Sequence, residues 1–121
     1  LLKISQLEIA PSYNIKYVGL KDITLTENQL DMLDKIVPTE TEKIARLLPD
    51  AFALTLIFKE HNKNGKQRKF SINMKVAAAK QHFTLTEDDW DFDVALHKVF
   101  SKARNALEHK VNKVSNPRRK D

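Results

Sequence analysis

The sequence predicts an α+β domain of order β-α-β-β-β-α, a four-stranded sheet with two helices packed on one face. Three observations predict it. Apolar residues alternate with polar ones around Ile15 and Tyr17, from Phe52 to Phe58, from Phe70 to Val76, and at Phe83 and Leu85. Two longer stretches repeat apolar residues at spacings of three and four, as one face of a helix does. Between the second and third strands lies Asn64-Gly65, the strongest short hairpin signal.

Each element has its own local reason. Residues 1–13 are weakly patterned and read as an N-terminal extension with at most one short strand; the domain is expected over 14–114. NIKYVGL reads as the first strand, with Ile15, Tyr17 and Leu20 on one side. Thr26-Glu27-Asn28-Gln29 has the form of a capping box, with the hydroxyl at the N-cap and Gln at the third helical position. Leu30, Leu33, Ile36 and Val37 follow at helical spacing. Pro38 lacks an N–H and clashes with the preceding turn, so one kinked helix or two short ones are expected, with Ile44, Leu47 and Leu48 continuing the stripe. FALTLIF is a buried strand, and Phe70, Ile72, Met74 and Val76 alternate against a polar face that includes Lys75. Ala77-Ala78-Ala79-Lys80 reads as a turn and HFTL as a short fourth strand. In TEDDWDFD the acids suit the positive end of a helix dipole, and Trp90 and Phe92 read as core anchors rather than a base-stacking platform. A helix is expected from about 89 to 113, with Phe92, Leu96, Val99, Ala103, Leu107 and Val111 as its stripe. Ser115 to Asp121 reads as a basic tail.

Composition narrows the function classes. The chain has 121 residues, no cysteine, two glycines and a net charge of +5. That excludes disulfides, thiolate chemistry and a Gly-rich phosphate loop. No apolar run approaches the length of a membrane span, about 20 residues. His61, His82, His97 and His109 share no metal-ligand spacing, and paired carboxylates occur only in the 87–93 segment, where capping accounts for them. No enzyme, cofactor, metal or small-molecule substrate is therefore expected.

The charge is patterned. Residues 1–58 carry a net −2, residues 59–86 +6, residues 87–96 −5 and residues 97–121 +6. The first basic block centres on the hairpin, with Lys59, Lys63, Lys66, Arg68 and Lys69, and continues to Lys75. The second lies on the last helix, where Lys98, Lys102, His109 and Lys113 fall near i, i+4 spacing and Arg104 and Lys110 flank them. Hairpin, polar strand face and helix together are expected to form a continuous basic surface. Such a surface neutralises phosphates and gives affinity without reading bases.

The run NIKYVGLKDITLTENQL and the segment DFDVALHKVFSKARNALEHKVNK resemble the ribosome hibernation promoting factors, also called ribosome-associated translation inhibitors. Ile23-Thr24-Leu25-Thr26-Glu27 matches the family's strand end before its first helix. Asp91, Ala95, Leu96, Val99 and Lys102 fall in step with its last helix. The resemblance spans residues 14–113 and agrees with the element order derived above. It implies a cytoplasmic, non-enzymatic factor that sits in the mRNA/tRNA channel of the small ribosomal subunit. Basic side chains would contact 16S-type rRNA, translation would stop, and idle ribosomes would be preserved under stress. Lys102 is the basic position it carries over best, whereas Asn105 and Glu108 stand where the family places arginine. Longer members add a C-terminal dimerisation domain. With none before Asp121, a monomer is expected. Two other readings stay open: a double-stranded RNA-binding domain of another kind, and a protein-interaction module whose basic face meets an acidic partner.

Overall fold

The computed structural model describes residues 13–48, 50–63 and 67–115, with the side chains of 62, 63, 67 and 110–115 outside the description. The elements are β1 (Tyr13–Val18), α1 (Glu27–Leu47), β2 (Phe52–Lys63), β3 (Gln67–Ala78), β4 (His82–Asp89) and α2 (Phe92–Ser115). The sheet order is β1-β2-β3-β4. β1 runs parallel to β2, which α1 makes possible as the crossover, and the other neighbours are antiparallel. This is the expected β-α-β-β-β-α fold.

Parity along the strands decides what each face holds. Phe52, Leu54, Leu56 and Phe58 of β2 stand opposite Ala78, Val76, Met74 and Ile72 of β3. All but Ala78 are buried, and they form the core with Phe92, Leu96, Val99, Phe100, Ala103 and Leu107 of α2 and Leu33, Val37 and Ile44 of α1. Each large apolar side chain buried there contributes about 1.5–3 kcal/mol. Both helices therefore lie on this one face, and the other face is left uncovered by them.

The capping box is present. Thr26 Oγ1 accepts from the Gln29 N–H at 3.1 Å, and Gln29 Oε1 accepts from the Thr26 N–H at 2.9 Å. Gly19 ends β1 with φ of +88°, and a Cβ there would lie 2.5 Å from the Phe58 carbonyl oxygen. Any other residue would meet both backbone strain and a collision.

Several elements differ from the sequence reading. Pro38 lies inside a continuous α1. Both Pro38 and Asp34 are exposed, so the carbonyl that loses its N–H partner is on the solvent side, where water can satisfy it. One turn further, Thr39 Oγ1 donates to the Lys35 carbonyl at 3.0 Å. Leu30 is exposed, because the buried stripe of α1 runs through Leu33, Val37, Thr41 and Ile44. Leu20 belongs to a 3₁₀ turn, Leu20–Asp22. β3 continues through Ala77 and Ala78, which pair with Ala53 and Phe52, and the turn tightens only at the Ala78 N–H to Gln81 carbonyl bond of 2.8 Å. Ladder bonds on both sides outweigh alanine's weak strand preference. Tyr13, assigned by sequence to the extension, is the first residue of β1 and stacks on Phe52 at 5.3 Å. The rest of the extension and the tail beyond Ser115 lie outside the described residues.

The largest difference concerns the acids. Glu87, Asp88 and Asp89 are the end of β4, not the cap of the last helix. Only Asp91 and Asp93 remain at the start of α2, where the Asp91 carbonyl accepts from the Ala95 N–H. Trp90, placed in the core by the sequence reading, is 47% exposed, whereas Phe92 is 1% exposed. The bend between β4 and α2 can turn only one of the two rings inward.

Candidate nucleic-acid interface

The helix-free face is built from the odd parity of β2 and β3. Lys59 and His61 of β2 and Lys69, Ser71, Asn73 and Lys75 of β3 alternate with the core residues and so point away from the helices. The register extends each row across the sheet. Lys16 stands beside Thr55, Thr55 opposite Lys75, and Lys75 opposite Thr84. One row along, Ile57, Asn73 and Thr86 align, and Thr86 Oγ1 donates to Asn73 Oδ1 at 2.8 Å. Lys59, Ser71 and Asp88 form the next row, and His61 and Lys69 the last before the hairpin end. The face thus presents lysines separated by hydroxyl and amide groups, with Asp88 as its one carboxylate among the described residues. Among the described residues, no carboxylate lies within ion-pair distance of Lys16, Lys59 or Lys75. Lys69 has one, Asp88, at 3.8 Å.

The cations of the helix layer are held differently. Lys98 reaches Asp89 at 3.2 Å and Glu87 at 3.8 Å, and Lys102 reaches Glu87 at 3.1 Å. These acids occupy β4 positions opposite Phe70 and Ile72, on the helix face at the sheet edge. Core positions one strand further in carry apolar side chains; at the edge, carboxylates meet the lysines of α2 instead. The N–H of Asp91, at 3.0 Å, and the Lys98 ammonium together hold the Asp89 carboxyl below the usual carboxylate range. Arg104 pairs with Glu40 of α1, whose side chain is mostly buried and also receives Lys43 at 3.2 Å. Arg68 is on the helix-facing parity of β3, 3.0 Å from Glu60, and also donates to the Thr24 carbonyl at 3.3 Å. Burial raises the pKa of Tyr17, with the charge of Asp34 adding to it.

The predicted basic residues therefore divide. Lys59, Lys69 and Lys75 share the open face. Lys98 and Lys102 line the β4 edge of the helix layer, paired with acids. Arg68 and Arg104 tie elements together. Lys63, Lys66, Lys110 and Lys113 fall outside the described side chains. Lys16 was not singled out from the sequence, yet its parity opposite Ile15 and Tyr17 puts it on the same face as Lys75. Among the described residues no cluster of three or more His, Asp or Glu could hold a metal ion, and no helix is long and apolar enough to cross a membrane.

Neither the known protein families nor the curated proteins yield a match to this sequence. Among solved structures, the chain is similar to a ribosomal subunit interface protein from Coxiella burnetii, with 11% identity and a TM-score of 0.49, covering 84% of this chain and 99% of that one. It is also similar to the N-terminal domain of Protein Y from Thermus thermophilus, with 11% identity and a TM-score of 0.46, covering 79% of this chain and 98% of that one.

Proposed function

We propose that this chain is a non-enzymatic ribosome-binding factor of the hibernation type. It occupies the mRNA/tRNA channel of the small subunit, contacts 16S-type rRNA through basic side chains, and so inhibits translation and preserves idle ribosomes in the cytoplasm. The observation that carries the reading is the helix-free sheet face, where Lys16, Lys59 and Lys75 stand among hydroxyls with no carboxylate partner among the described residues. Cations already neutralised inside the protein gain little from a phosphate, whereas unpaired ones release counterions on binding. The resemblance of residues 14–113 and the β-α-β-β-β-α order support the same reading. Lys69 joins the face by exchanging its weak contact with Asp88 for a phosphate. Lys63 and Lys66 of the hairpin sequence are further candidate phosphate contacts by charge alone. Lys98, Lys102 and Arg104 are already paired with carboxylates and contribute little, Lys110 and Lys113 are further candidate contacts by charge alone, and Arg68 fixes the hairpin base.

Cosedimentation with purified small subunits tests this directly, with naked duplex RNA and ribosome-free lysate alongside. Pelleting with subunits and inhibition of cell-free translation are expected. Equal affinity for naked duplex would favour a double-stranded RNA-binding domain. Binding to neither RNA would favour a basic module for an acidic protein partner.

A further inference from the structure

Trp90 is the only tryptophan in the chain, and at 47% exposure it is not needed by the core. Phe92 fills that role, with ring centroids 5.9 Å from Phe58 and 5.5 Å from Phe70. Asp89 is the last paired residue of β4, opposite Phe70. Trp90 therefore follows the strand to the level of Lys69, at the hairpin end of the open face. The Lys69 ammonium stands 5.4 Å from the centre of the indole. An exposed aromatic face beside a cation suits single-stranded nucleic acid: a base stacks on the ring while the cation takes a neighbouring phosphate. The indole has two faces, so a lysine at one leaves the other for a base. The nearby acids limit the site without closing it. Asp89 is already engaged by the Asp91 N–H and Lys98. Asp88 and Lys69 form an exposed, long pair at 3.8 Å that a phosphate can displace. Asp91 is also exposed, and its charge disfavours a phosphate close to it.

We propose that Trp90 and Lys69 form a stacking site for one unpaired RNA base at the hairpin end of the open sheet face. This rests on the RNA-binding reading above and adds that the bound strand is unpaired at this point, since a base inside a duplex cannot reach the ring.

Because Trp90 is the single tryptophan, its fluorescence reports this site alone. The test titrates the full chain with an oligouridylate of about eight nucleotides, with a duplex of the same length, and with inorganic polyphosphate. The single strand is expected to quench the emission in step with binding. Duplex and polyphosphate are expected to bind through charge with little quenching. Trp90→Ala is expected to weaken single-strand binding about tenfold, and Trp90→Phe to restore most of it. Single-strand binding without quenching, unaffected by Trp90→Ala, would overturn the stacking site while leaving the RNA-binding face intact. If the wild type bound neither the oligomers nor small subunits, the reading beneath it would fall as well. Quenching is read on the wild type, so it does not depend on how well a variant folds.

Discussion

Lys75 and Lys102 are both exposed lysines of a basic protein, but the fold gives them different surroundings. Lys75 stands on the open sheet face between Thr55 and Thr84, with no carboxylate partner among the described residues. Lys102 lies on α2, 3.1 Å from Glu87. The contrast extends to their neighbours: Lys16 and Lys59 resemble Lys75, whereas Lys98 and Arg104 resemble Lys102 in being paired. Net charge therefore overstates the surface available to a polyanion. A surface lysine that already faces a carboxylate must give up that contact to bind a phosphate, and the two contacts are of similar strength in water.

The helix layer is where substitution should cost most stability. Ala103 is fully buried on α2 against the core. Ala103→Glu places a charge there and should cost several kcal/mol, enough to unfold a domain of this size, as thermal denaturation would show. Next in size is Arg104→Ala, which leaves Glu40 mostly buried with only Lys43 beside it. A loss of about 1–3 kcal/mol is expected. An unchanged melting temperature would mean that the α1–α2 pair is merely a surface contact. Lys102→Glu, facing Glu87, should cost less than about 1 kcal/mol.

The smallest expected effect is in acid. The Asp89 carboxyl is held below its ordinary value of 3.8, so its stabilising contribution is complete above that value in the unfolded chain and is lost as pH falls through the lower folded value. Wild type should therefore lose a small increment of stability in that window that Asp89→Asn does not. Identical acid profiles for the two would detach Asp89 from the fixing of α2 on β4.

Much of this was legible in the sequence because the periods are clean. Phe52–Phe58 and Phe70–Val76 alternate without a break, and the capping box at Thr26 and Gln29 forms as its spacing predicts. The division of the basic residues was not read from the sequence: one continuous basic surface was expected, whereas Lys75 stands on the helix-free face and Lys98 and Lys102 stand on the helix layer beside Glu87 and Asp89. What local pattern could not show was β4. Three consecutive acids after Thr86 look like the start of a helix, and their partners Lys98 and Lys102 lie a strand end and a helix turn away. Only the cross-element geometry makes a strand with carboxylates on its inner side stable. Trp90 was misplaced for a related reason: a large apolar residue next to Phe92 looks buried until the bend between them is seen.

The central claim is that phosphate binding belongs to the open face, and two charge-matched variants test it. Lys59→Gln with Lys75→Gln and Lys98→Gln with Lys102→Gln each remove two positive charges, so only position differs. Cosedimentation with small subunits across a salt series gives affinity and salt slope for both. The open-face variant should bind more than about tenfold more weakly, and its log–log salt slope should be shallower by about 1.4 to 1.8. The helix variant should stay near wild type in both. If the helix variant lost affinity and slope while the open-face variant did not, the ribosome-facing surface would be the helix layer, which contradicts the assignment of phosphate binding to the open sheet face.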